Sequence, residues 1–196
     1  MSEIPLSCSC GRFKAVLRDC DASSGRRLKC YCTDCQTAAH AFGGGEILDA
    51  HGGTDLFHTT PSKLETTEGE EHLACLRLSP EGLMRWYASC CDTPVFSTLA
   101  SPKLRFIGIS SKVVDGDLEA TLGPIKTIAK TKDAKPGADG PTDSRYIGAV
   151  WGVLSRHMGA VITGKKHNPL FDDDATPVVE PRVLTKEQRK SFTPEY

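Results

Sequence analysis

The sequence predicts a mainly β fold with a C-terminal α-helical appendage. Short β-type runs separated by turn residues fill Leu6 to about Phe106, five of the nine cysteines cluster near Cys8 to Cys10 and Cys30 to Cys35, and the clearest helical period lies near the C-terminus. Cys-x-Cys and Cys-x-x-Cys spacings let two sulfurs reach one tetrahedral ion at about 2.3 Å from a single turn, so the turns between strands are the expected metal sites.

In chain order, Arg12 to Leu17, Leu56 to Thr60, Leu73 to Leu78, Leu83 to Ala88 and Val95 to Thr98 read as strands, punctuated by Gly52-Gly53, Pro61-Ser62 and Pro80-Glu81-Gly82. Arg105 to Ser110 and Leu118 to Leu122 continue the β reading. Lys130 to Asp143 replaces apolar periodicity with charge and turn residues, as in Lys135-Pro136-Gly137, and reads as an exposed loop. Ile147, Val150, Trp151, Leu154, Met158, Val161 and Ile162 then recur at three- and four-residue steps, which predicts a helix capped by Asp143 or Ser144 and ended by Gly164. Lys165, Lys166 and His167 complement its dipole, and Gly148 with Gly152 predicts close packing on the β layer. Thr185-Lys186-Glu187-Gln188 is a capping box for one more short helix. The expected organisation is a zinc-binding β domain over 1–125, a linker over 126–142, and a helix with its tail packed on that domain over 143–196.

Composition narrows the function classes. Lys plus Arg number 24 against 25 Asp plus Glu, and no basic run interleaves with aromatics, so nucleic acid is not an expected partner. The stretch from Ile147 to Ile162 is broken by Arg156 and His157 and is too short to span a bilayer, so no membrane association is expected. The first residues, Met1 to Leu6, lack a basic segment followed by an apolar one, which points to a cytoplasmic protein. In a reducing compartment, clustered thiols hold metal or do chemistry more often than they form disulfides.

Cys30, Cys32 and Cys35 can wrap one ion while filling three of its four positions, the arrangement used when a ligand must bind the metal. His40, five residues further on, could complete a Cys3His set and close the site. Beside Ala38, Ala39 and Phe42 it otherwise reads as a half-buried histidine. The run Gly43-Gly44-Gly45 reads as a flexible turn, with anion seating on its N–H groups as the alternative. Cys8 and Cys10 need two further ligands to close a structural tetrahedron, and the doublet Cys90-Cys91 is the natural supplier. Adjacent strand residues point to opposite faces, so both doublet sulfurs can share an ion only where the backbone turns, as Asp92-Thr93-Pro94 permits. Cys75 reads as a buried small hydrophobe. Asp19 and Asp21 should raise the pKa of Cys20 and suppress its reactivity.

These residues resemble the glutathione-dependent formaldehyde-activating enzyme and centromere protein V family. The shared order is Cys8-Ser9-Cys10-Gly11, then Cys30-Tyr31-Cys32-Thr33-Asp34-Cys35, then a β-rich interval, then Arg85-Trp86-Tyr87 running to Cys90-Cys91-Asp92-Thr93-Pro94. The resemblance covers roughly the first 110 residues. It implies an Mss4-like β-tent, a structural zinc on Cys8, Cys10 and the late cysteines, a second zinc on Cys30, Cys32 and Cys35, and carbon-sulfur lyase chemistry on a thiol adduct such as S-hydroxymethylglutathione. The late motif departs from the family's Cys-x-x-Cys-Gly: Ala88 stands at its first position, Cys91 at its second and Asp92 at its glycine.

The leading expectation is therefore an enzyme holding two zinc ions, with Cys30, Cys32 and Cys35 as the catalytic set and a small-molecule thiol or thiol adduct as its partner. Proton transfer would fall to His40 or His58. The alternative is a non-catalytic, zinc-stabilised protein-binding module. A thiol redox protein using Cys32 and Cys35 is less favoured, because no βαβ pattern surrounds them.

Overall fold

A computed structural model describes residues 2–44, 47–164 and 167–196. Gly45, Lys165 and Lys166, read above as parts of a turn and a helix end, lie outside the described residues. The strands are β1 (Ile4–Ser7), β2 (Lys14–Leu17), β3 (Arg26–Cys30), β4 (Thr54–Thr59), β5 (Leu64–Glu68), β6 (Leu73–Arg77), β7 (Met84–Ala88), β8 (Thr93–Thr98), β9 (Ile107–Ser110), β10 (Thr127–Ala129) and β11 (Arg182–Val183). The helices are α1 (Thr33–Ala41), α2 (Leu118–Leu122), α3 (Tyr146–Ile162) and α4 (Lys186–Phe192). The fold is mainly β, with a few helices.

Two sheets enclose one core. The smaller is ordered β1-β2-β5 and the larger β10-β3-β4-β9-β8-β7-β6-β11, antiparallel throughout except for β10 on β3 and β11 on β6. Leu6 and Leu17 from the small sheet meet Phe57, Trp86, Phe96 and Ile109 from the large one, all buried. The alternation of β7 sends Met84, Trp86 and Ala88 into this core, where Trp86 Nε1 donates to Thr98 Oγ1 at 3.0 Å. Arg85 and Tyr87 consequently point to the opposite face. Tyr87 there stacks against Phe42 at the end of α1, beside a second cluster that includes Ala38, Leu76 and Leu184.

Several expectations change. Leu118 to Leu122 is helix, because Asp117 Oδ1 accepts from the N–H of Glu119 at 2.8 Å and of Ala120 at 3.3 Å, and this cap outweighs any β preference. The segment 126–142 contributes β10, whose register Ala129 to Cys30 ties it beside the second cysteine cluster. The long helix starts after Arg145, which adopts φ +51°, and has no side-chain cap. Asp143 instead accepts from the Thr131 N–H at 2.9 Å, and Ser144 bridges to Ile128.

Helix α3 contacts β10 and β4 through its small residues. A Cβ on Gly148 would lie 3.2 Å from Arg26 Nη2, and one on Gly152 3.1 Å from Arg156 Nη1, so guanidinium groups occupy the space these glycines leave. Ala149 and Ala160 are buried, whereas Ile147, Trp151 and Ile162 are 72%, 67% and 79% exposed, so the large apolar residues face away from the sheet. The expected capping box is present: Thr185 Oγ1 accepts from the Gln188 N–H at 3.2 Å and Gln188 Oε1 from the Thr185 N–H at 3.0 Å. It starts α4, which packs on α1, where Arg189 pairs with Asp34 at 2.8 Å.

Candidate metal centres

The first cluster joins two turns distant in sequence. Cys8 follows β1, and the Gly11 N–H returns to its carbonyl at 2.9 Å with Gly11 at φ +74°. Opposite, the β7–β8 hairpin turns through Cys90, Cys91 and Asp92, with the Cys91 N–H on Ala88 O at 3.2 Å. Asp92 sits at φ +53°, a left-handed conformation that aspartate tolerates, and this bend lets neighbouring cysteines face one point. The Sγ separations are 3.6 Å for Cys8–Cys10, 3.8 Å for Cys8–Cys90, 3.3 Å for Cys10–Cys90 and 3.8 Å for Cys90–Cys91. A tetrahedron with bonds of about 2.3 Å has edges of about 3.8 Å. All four sulfurs therefore fit a closed tetrathiolate site. Burial opposes ionisation of Cys91, but bonds from Ser9, Thr93 and the Cys10 backbone bring its thiol down to about 5. Burial and the neighbouring cysteines push Cys90 up to about 12.

The second cluster is built locally. Cys30 ends β3, Cys32 is the N-cap of α1 with ψ 145°, and Cys35 lies in the first turn, its N–H on Cys32 O at 2.9 Å. Their three sulfurs lie within 4.8 Å of one another, and among the described residues no other Cys, His, Asp or Glu joins the set. The positive end of α1 favours anionic sulfur here. Cys35, receiving hydrogen bonds from Cys30 and Cys32 and sensing the Arg85 charge, is held well below the usual thiol range, while the same contacts and burial push Cys30 up. Gln36, fully buried behind the cluster, donates to Tyr31 O at 2.6 Å and Asp133 O at 2.7 Å, which fixes the strand-to-helix turn. Either cluster could hold a metal ion, and soft thiolates favour zinc-like cations.

A cavity of about 230 Å³ opens beside the second cluster, lined by Cys30, Cys32, Cys35, His58, Arg85, Ser97, Phe106 and Ala149 among others. His58 stands edge-on to Phe106 at 4.8 Å, and burial, with the charge of Arg156 nearby, lowers its imidazole to about 3. His40 is not in either cluster or in this wall, and lies against Gly44. Gly43 and Gly44, at φ +89° and +83°, form a turn after α1. Cys75 is buried in β6, which pushes its thiol up to about 12. Cys20 rises to about 11, chiefly through burial at 0% exposure, with Asp21 a minor contributor; the direction expected from its acidic neighbours holds but burial dominates. Arg85, present in the sequence motif order, enters this wall because the two-residue period of β7 fixes its side of the sheet.

The profile of DUF6151, a family of unknown function, matches residues 1–181. The chain belongs to the DUF6151 family. A solved structure of a Rhodobacter sphaeroides protein is similar at 17% identity and a TM-score of 0.42, with 62% of this chain and 96% of that chain covered. Comparison with curated proteins returned no match. No helix among the described residues is long and apolar enough to cross a membrane.

Proposed function

We propose that this DUF6151 member is a zinc-dependent enzyme that makes or breaks a carbon-sulfur bond in a small thiol adduct, of the glutathione-dependent formaldehyde-activating type, on an Mss4-like β-tent. The observation that carries the reading is the contrast in ligand number: among the described residues four sulfurs converge in one cluster and three in the other, and all three of the latter line one cavity, whereas of the former Cys91 lines a separate one. A zinc ion held by Cys30, Cys32 and Cys35 would supply a Lewis-acid position at which sulfur charge is stabilised.

The chain's own residues contribute the rest. Leu28 and Leu56 make part of the cavity wall apolar, which limits water around the reacting sulfur. In adduct formation the thiol gives up its proton, a lone pair of the resulting thiolate attacks an aldehyde carbon, the carbon-oxygen π pair moves to oxygen, and that oxygen takes up the proton the thiol released. Cleavage reverses each step. His58 lines the cavity onto which the three cysteines open and His40 does not, so His58 is the candidate to relay this proton. The reaction would run in the cytoplasm on a small-molecule thiol.

The test follows exchange between hemithioacetal and free thiol by NMR, using glutathione and formaldehyde. Acceleration by the wild-type protein, and its loss in Cys32→Ser with the fold intact, supports the reading; equal rates with both overturn it. The second reading, a zinc-stabilised binding module, is favoured by the exposed apolar residues of α3 and predicts no acceleration by either protein.

A further inference from the structure

Among the described residues, the buried side-chain nitrogens and oxygens without a hydrogen-bond partner all belong to arginines: Arg85 Nε, Arg105 Nη1, and Arg156 Nε and Nη2. Of these, Arg85 lines the cavity beside the three-cysteine cluster, whereas Arg105 lines a separate cavity with Lys103 and His167, and Arg156 acts on the first cavity only through its charge at His58. Arg85 is 7% exposed, and among the described residues no carboxylate lies within ion-pair distance of it. Arg27, also buried, shows the contrast: its Nε and Nη2 grip Asp55 at 3.1 and 2.7 Å.

A buried guanidinium with an idle directional donor is costly, and the planar fork it presents fits a carboxylate at two points. Cys35 offsets part of the charge without occupying the Nε donor. We infer that the cavity recognises a thiol carrying a carboxylate, with its sulfur toward Cys30, Cys32 and Cys35 and its carboxylate on Arg85. This rests on the proposed open metal position and specifies the class of molecule that enters it. Arg85 is thus a specificity residue, and an adduct of a neutral thiol is a poor ligand.

The test uses full-length protein loaded with cobalt, titrated at fixed ionic strength with mercaptopropionate or with the uncharged mercaptopropanol, and read by the sulfur-to-cobalt absorption. Wild type should bind mercaptopropionate about tenfold or more tightly than mercaptopropanol, consistent with a charge-assisted hydrogen-bonded pair. Arg85→Gln should abolish that preference while leaving mercaptopropanol affinity within about twofold. Cobalt in the four-cysteine cluster reports whether the variant is folded. If Arg85→Gln fails to fold, the wild-type preference decides, and Arg85→Lys, which keeps charge without the fork, should narrow it. Equal binding of the two thiols to wild type overturns the inference while leaving the open metal position standing. If neither thiol alters the absorption, the open position itself falls and the inference with it.

Discussion

The four-cysteine and three-cysteine clusters use the same ligand atom for opposite ends. Cys8, Cys10, Cys90 and Cys91 come from turns about 80 positions apart and close on one point, so any ion there links the small sheet to the β7–β8 hairpin. Cys30, Cys32 and Cys35 span six residues of one strand-to-helix turn and line a cavity, so an ion there would link little chain and, on the proposed reading, keep a position free. Ligand number and loop span, more than ligand identity, separate a staple from a reactive site.

The comparison breaks most readily by substitution within each cluster. Cys10→Ser should remove one bound zinc and lower the unfolding midpoint by more than about 10 °C, because metal affinity at a staple is folding energy; a calorimetric scan beside metal analysis checks this. Cys32→Ser should also remove one zinc, yet shift the midpoint by only about a few degrees while lowering lyase activity about 100-fold or more. A chelator should strip the three-cysteine ion first without unfolding and the second only as the fold melts, which circular dichroism and a zinc indicator read together.

His58→Gln sharpens the account of the cavity and should lower the exchange rate about tenfold, less than a well-tuned general acid-base group contributes, because an imidazole held near 3 is a weak base at neutral pH. It should also change acid stability. His58 stays neutral in the folded chain down to about 3, whereas the unfolded chain takes up a proton below about 6.5. Stability present above that value is therefore lost as pH falls toward 3, and the variant should lose less of it, as denaturant melts at stepped pH will show. The smallest effect is expected from Thr185→Ala, which removes the α4 cap at a cost of about 1 kcal/mol. Because Arg189 and Tyr196 reach Asp34 and Gln36 on α1, this change should loosen zinc at the three-cysteine cluster and leave the other unaffected.

Much of this contrast was legible in the sequence. Both cysteine sets, the need for a sharp bend at Cys90-Cys91, the β-rich first half and the Thr185 capping box follow from spacing and turn chemistry. The sequence does not signal helix α1, because Thr33 to Ala41 lacks a marked apolar stripe, and Leu118 to Leu122 reads as strand because its Asp117 cap precedes only five residues. The outward face of α3 was hidden for a different reason. Periodicity identifies an apolar side but not which side packs, and here the glycines and alanines meet the sheet with Arg26 and Arg156 between. His58 is one of the two histidines expected from the sequence, but the choice between it and His40, like the place of Arg85, depends on contacts between strands far apart in the chain, which no local pattern records.

The central claim is that the ion held by Cys30, Cys32 and Cys35 has three protein ligands and a replaceable fourth. X-ray absorption at the zinc edge of the two-zinc protein tests this directly. The account predicts one light-atom ligand shared across the two ions, replaced by sulfur when a thiol is added. An all-sulfur shell without added thiol, or an imidazole signature that thiol does not displace, would contradict it.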